Sequence, residues 1–487
     1  MSNPGNFFAI IALFAWFPIT FLFFTRNKPA AAAALSIIGG FLFLPELVSV
    51  NLPIFPDLSK RSIPVIATFV CCLIKAPGKL SQAKPFRGVD LFIVLLFVQQ
   101  IGTWLTNGDF VPGGPLPRPG LTFYDFLGDV VTDGVLIYGL FFLGRALYTT
   151  AEEVTALLRI AFKLSMIYAV GCLIELKFSP QMHNWIYGFM QHDFAQMIRG
   201  GGYRPMLFTT HGLVLARYMA ASVAGGCLLW RLNMVKGKMV AGLVATIVVF
   251  VACKSTGAIG LFLLFAPYCL FGAPKSQARI AFIIAFIVAA YPALRGTDTI
   301  PVDDLLDLAG NISEERANSL AYRLENETQL LDHVREKHIW FGWGGYSRHA
   351  IYSSDNKNLT IVDGEWIAVF STRGIVGFIG YYGLFVLPIF IAWRRMRSVS
   401  LEEYGLLLGG LMVVAALLIF DTLPNSSGSL PAFFYTGALA GAAPGLVRED
   451  ARRRQRIREE RIKRLSEPPP APDTAPAEPF GVAPNAF

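Results

Sequence analysis

Ser313-Glu314-Glu315-Arg316, Tyr322-Arg323-Leu324-Glu325-Asn326, Phe341-Gly342-Trp343-Gly344-Gly345-Tyr346 and Val362-Asp363-Gly364-Glu365-Trp366 mark out one long polar stretch between hydrophobic runs, from Arg295 to Gly377. What flanks it decides the fold. Before it, apolar runs of about 17–25 residues recur along most of the chain. They resume after it, and that is the length a bilayer core asks of a helix. The 487 residues are 54% hydrophobic and only 16% charged, with a mean hydropathy of +0.50. A soluble domain carries about 25% charged residues. Barrel-type alternation is absent, which excludes the closed-sheet route through a bilayer. The reading is an all-α fold, a polytopic transmembrane helical bundle of about 12–13 spans with one large external loop.

The candidate spans are 7–24, 31–50, 62–74, 89–106, 130–145, 154–176, 206–230, 239–253, 256–271, 279–294, 365–392, 403–420 and 431–447. Span 62–74 is short and carries Pro64, so it is tilted, re-entrant or absent. The first run lacks a basic leader and a small-residue cleavage site and is expected to be retained. Lysine and arginine in short loops set the orientation. Arg26-Asn27-Lys28, the Lys75–Arg87 loop, Arg231–Lys238, Lys275–Arg279, Arg394-Arg395-Met396-Arg397 and the tail Arg452-Arg453-Arg454-Gln455-Arg456 fall on one face, the expected cytoplasm. Loops 107–129, 177–205, 295–364 and 421–430 fall on the other, which places the large loop in the periplasm, or outside the cell if it has one membrane. The chain divides into spans one to ten (1–294), the large loop with short helices (295–364), spans eleven to thirteen (365–447), and a basic inner-leaflet helix with a Pro/Ala-rich tail (448–487).

All six cysteines, Cys71, Cys72, Cys172, Cys227, Cys253 and Cys269, lie in apolar spans without C-x-x-C spacing, so neither a disulfide framework nor a zinc site is expected. His333, His338 and His349 lack metal-ligand spacing with carboxylates. The net charge of +8 comes largely from the basic tail, which suits a membrane surface rather than nucleic acid. No cofactor is implied.

Charges in or beside spans are costly, so each needs a reason. Arg199-Gly200-Gly201-Gly202-Tyr203-Arg204-Pro205 precedes a span that carries His211 and Arg217. Glycine N–H groups and guanidinium forks there suit a phosphate. A flexible loop with a snorkelling arginine is the plainer account, and Arg217 could simply tie two helices. Lys254 is either an interfacial anchor or a second phosphate contact. Arg316 and Arg323, seven apart, share a helix face and could clamp a pyrophosphate, unless the run is only a solvated helix. Trp340, Trp343 and Tyr346 among Gly342, Gly344 and Gly345 suit a sugar ring, a lipid headgroup or an aromatic belt. Asp363 and Glu365 at the next helix entry are candidates for a general base or for a capping pair. Arg373 could neutralise Asp363 or touch phosphate.

Gly202-Tyr203-Arg204-Pro205 with His211 and Leu215, Lys254-Ser255-Thr256-Gly257, Arg323 leading to Gly342-Trp343-Gly344, and Gly364–Gly377 together resemble the O-antigen ligase / O-antigen polymerase superfamily, over roughly residues 195–392. The resemblance implies a GT-C-like inner-membrane glycosyltransferase that works at the periplasmic face without a metal. Its donor would be an undecaprenyl-pyrophosphate-linked glycan. Its partners would be membrane lipid, a flippase and a chain-length regulator. Family ligases carry a base histidine just before the last Gly-rich span, where this chain has Asp363-Gly364-Glu365, which favours a polymerase over a ligase. On that reading Arg204, Arg316 and Arg323 hold the pyrophosphate, and Asp363 or Glu365 takes the acceptor proton. A transporter or lipid-linked oligosaccharide flippase is the rival class. It should place paired charges or broken helices at mid-membrane.

Overall fold

A computed structural model describes residues 5–199, 201–297, 299, 301–311, 313–426 and 429–466; the side chains of 199, 308, 309, 315 and 316 also lie outside the description. Eighteen α-helices are present among the described residues: α1 (Phe7–Arg26), α2 (Pro29–Phe43), α3 (Ile63–Lys75), α4 (Pro77–Ala83), α5 (Phe92–Thr106), α6 (Phe123–Asp133), α7 (Leu140–Leu147), α8 (Ala151–Phe178), α9 (Met182–Tyr187), α10 (Gly212–Arg231), α11 (Lys238–Ala252), α12 (Thr256–Phe271), α13 (Pro274–Gly296), α14 (Val302–Gly310), α15 (Glu314–Lys337), α16 (Glu365–Met396), α17 (Glu402–Phe420) and α18 (Leu430–Ser466). A π-helical segment, Gly134–Gly139, joins α6 to α7. Two 3-10 turns, Gly88–Leu91 and Phe194–Met197, and two minimal hairpins, Ser49–Val50 with Leu58–Ser59 and Ile198–Arg199 with Gly202–Tyr203, are also present.

The protein is an all-α, multi-pass bundle. Among the described residues nine helices are long and apolar enough to cross a membrane, and a tenth follows if α3 and α4, bent by 103°, count as one. The three remaining candidate spans are α2, α11 and α12, with 15, 15 and 16 residues. Span 31–50 was drawn too long. Leu44 precedes Pro45, is extended at φ −75°, ψ 154°, and ends α2. Span 206–230 likewise starts late, at Gly212, because Glu175 of α8 captures the Met206 and Leu207 N–H groups at 2.9 Å. The basic run after Val447 is not a separate inner-leaflet helix. It continues α18, whose 37 residues extend about 55 Å at 1.5 Å per residue, well beyond a bilayer core. The Pro/Ala-rich tail from 467 lies outside the described residues.

The bundle closes through small residues, as helices do where lipid offers no hydrophobic drive of its own. Gly437 and Gly441 of α18 let the Phe141 and Arg145 carbonyls approach until an added Cβ would lie 2.1 and 2.3 Å from them. Loop contacts then sort into two faces. On one, Asn6 bonds Tyr187, Glu46 bonds His183, Arg348 bonds Pro119, and Glu365 N bonds the Thr422 carbonyl. On the other, Lys79 pairs with Glu153, Arg231 bonds Gly272, and Asp450 receives Leu401 N. This is the alternation that the thirteen candidate spans require. The first set, which includes α14 and α15, forms what we call the loop face.

Candidate functional site

A break in α16 organises the site. Gly374 has φ 62°, ψ −168° inside the helix. In an unbroken helix the Ser371 and Thr372 carbonyls would accept from the Ile375 and Val376 N–H groups. Here the Ile339–Gly344 turn enters the gap. Trp343 N and Gly344 N donate to Ser371 and Thr372 at 2.9 Å, while Ile375 N and Val376 N donate to Ile339 and Trp340 at 2.9 and 3.1 Å. Backbone at membrane depth is thereby satisfied within protein. The approach is so close that a Cβ on Gly342 would lie 2.3 Å from Arg373 N, and one on Gly374 2.4 Å from the Trp340 carbonyl carbon. These glycines therefore serve a backbone junction rather than a sugar face. Trp343 is buried and stacks on His333 with centroids 4.4 Å apart. Trp340 and Tyr346 stay exposed.

The break leaves Arg373 facing a cavity of about 480 Å³. Its apolar wall comes from α2 (Ile37, Ile38, Phe41), α3 (Val65), the π-helical segment (Leu136, Ile137) and α18 (Phe434). Its charged part gathers Glu46, Lys60, Arg61, Asp133, Glu365 and Arg373. Most of these are committed to one another. Arg373 grips Asp133 with both terminal nitrogens, at 2.5 and 2.8 Å. Lys60 pairs with Glu46 at 2.9 Å and donates to the Phe208 carbonyl. Burial pushes the Lys60 ammonium below its ordinary pKa, and Glu46 opposes the shift. Arg61 lines the cavity with no carboxylate within ion-pair distance among the described residues, two residues before the N-terminus of α3. Glu365 has no cation at that distance. It accepts from Tyr381 at 2.7 Å and Ser429 at 3.0 Å, with Arg217 and Arg61 as the cations whose field reaches it.

Of the residues singled out from sequence, the structure thus brings Glu365 and Arg373 into one cavity. Arg217 stands behind them, paired with Asp421 at 2.9 Å in a buried site. Asp363 lies outside the cavity and faces Arg323 at 3.6 Å, both side chains about one-third exposed. Arg204 is buried with its stem against Gly212, and His211 caps α10, its ring accepting from Leu213 N at 3.0 Å. Lys254 approaches Gly202 from the α11–α12 connection. None of Arg204, His211 and Lys254 lines the cavity. The side chains of Arg199 and Arg316 lie outside the described residues.

Lys60, Arg61, Glu46 and Asp133 were missed. Asp133 carried the clearest signal, a carboxylate inside an otherwise apolar span. Lys60 and Arg61, adjacent at a helix entry, carried a weaker one.

A scan of protein-family models finds no match to the chain, and a search of curated proteins finds none either.

Proposed function

We propose that this chain is an inner-membrane polysaccharide polymerase of the O-antigen type, which joins undecaprenyl-pyrophosphate-linked glycan repeat units at the periplasmic face. One observation carries the reading: a single cavity combines an apolar wall with a charged end that holds one cation and one carboxylate not paired with each other. An isoprenoid chain matches the wall. The pyrophosphate matches Arg61 and the α3 N-terminus, where the helix dipole favours an anion. Lys60 and Arg373 line the same charged end, each already paired with a carboxylate. These residues take the role that sequence gave to Arg204, Arg316 and Arg323. Glu365 is the base. It removes the proton from the acceptor hydroxyl as that oxygen bonds to the donor's anomeric carbon. The carbon's bond to phosphate breaks, the electron pair leaves with undecaprenyl pyrophosphate, and the configuration inverts.

The test is complementation of a strain lacking the chain. Arg61→Ala and Glu365→Gln should be expressed normally and yield no polymer, while lipid-linked single repeat units accumulate on the outer leaflet. Full-length but unligated glycan would instead indicate a ligase. A transporter keeps a specific observation of its own, since the α16 break beside the Arg373–Asp133 pair is what that class predicts. Repeat units trapped on the inner leaflet would favour it.

A further inference from the structure

A second cavity, about 290 Å³, opens on the loop face beside the first, and Thr132 lines both. Its walls come from the 51–55 connection (Asn51, Phe55), from α6 (Tyr124, Asp125, Asp129) and from the turn at Tyr346. No lysine or arginine lines it. Tyr124 and Tyr346 are 53% and 54% exposed, as belt residues would be, but their hydroxyls are tied to protein. Tyr346 donates to Asp125 at 2.6 Å, and Tyr124 accepts from Ile54 N at 3.2 Å. What remains free is the flat face of each ring. Asp125 is committed, because its other oxygen caps α6 through Thr122. Asp129 makes no hydrogen bond or ion pair to any described residue.

Charge decides what this cavity takes. Asp125 and Asp129 repel an anion, and no cation lines the cavity to hold one, so pyrophosphate is excluded. The vacant carboxylate asks for a neutral ligand that donates hydrogen bonds, and the aromatic faces ask for one with an apolar side. A pyranose has both, with C–H faces and a rim of hydroxyls. We infer that the second cavity is a saccharide site, in which an uncharged sugar ring lies against Tyr346 and Tyr124 and donates a hydroxyl to Asp129. Its place as the acceptor end of a transferase rests on the polymerase reading; sugar binding by itself does not.

The test uses the full-length protein in lipid nanodiscs and saturation-transfer NMR with the methyl glycosides of glucose, galactose, mannose and N-acetylglucosamine. At least one should show transfer. Asp129→Asn should weaken it about tenfold, the loss expected of a hydrogen bond to a charged group, and Tyr346→Ala should weaken it through loss of the ring face. Tyr346→Phe keeps the ring and guards against misfolding, so it should retain binding. Inorganic pyrophosphate, followed by phosphorus NMR, reports on the first cavity and should be lost in Arg61→Ala alone. Absence of transfer from all four glycosides, or transfer unchanged in both Asp129→Asn and Tyr346→Ala, overturns the saccharide site whatever pyrophosphate does. Absence of pyrophosphate binding by the wild-type protein, or binding unchanged in Arg61→Ala, with glycoside binding intact overturns only the donor reading.

Discussion

Arg373 and Asp133, 240 residues apart in sequence, meet as a two-pronged ion pair one residue before the point where α16 breaks. Asp133 is almost fully buried, and Gln100 also donates to it at 2.8 Å. The pair therefore holds the broken helix against α6 and forms one boundary of the cavity. Removing one partner of such a pair leaves an uncompensated charge, which costs about 3–5 kcal/mol. Arg373→Ala should lower the melting temperature of the purified protein markedly. Arg373→Lys should lower it less, because the charge survives and only the fork is lost. An unchanged melting temperature in the alanine variant would mean that the pair does not anchor α16.

The break itself is testable. Alanine at 374 would meet both a left-handed backbone and the Trp340–Phe341 peptide at about the same 2.4–2.5 Å. A local adjustment cannot relieve backbone against backbone, so we expect Gly374→Ala to destabilise by at least about 1–3 kcal/mol. It should also release the 339–344 turn, read as faster hydrogen exchange at the Trp343 and Gly344 amides. Exchange at wild-type rates in that variant would contradict the interlock.

The two candidate bases are separable. Asp363 and Arg323 are each about one-third exposed at 3.6 Å, and an exposed pair of this kind contributes about 0–1 kcal/mol. Asp363→Asn and Arg323→Ala should therefore keep both fold and polymer. Glu365→Gln should keep the fold, since its amide oxygen still accepts from Tyr381 and Ser429, and should abolish polymer. Loss of polymer in Asp363→Asn with full activity in Glu365→Gln would transfer the base to Asp363.

Acid should loosen the loop face. Burial, helped by Lys337 and Arg348, lowers the His338 pKa to about 4, and burial, helped by His333 and Arg118, lowers His349 to about 4. An unfolded histidine titrates near about 6.5. Between those values the unfolded chain binds more protons, so stability rises with pH from about 4 to 6.5 and is level above it. Melting temperature should fall as pH drops through that window. His338→Gln combined with His349→Gln should flatten the slope, and an equally steep slope in the double variant would assign the effect elsewhere.

Much of the bundle was legible in sequence because its causes are local. Each apolar run must satisfy its own backbone in lipid, so its length and polarity report a helix wherever it lies. The alternation of basic and non-basic loops likewise foretold which loops touch. Errors came where a single side chain overrode hydropathy, as at Pro45, which ends α2, and at Glu175, which holds 206–207 out of α10.

The site was legible only in part. Glu365 and Arg373 stand two turns apart on one helix, and their cost at a span's entry marked them both. Their companions did not follow from spacing. Lys60 meets the Phe208 carbonyl across 148 residues, and Asp133 meets Arg373 across 240. Sequence by itself determined that the chain is a helical membrane bundle with two distinct faces, because hydropathy and helix periodicity act within a few turns. Only the tertiary structure decided which charges share a cavity, because opposite charges in a low-dielectric interior select their partners by distance in space.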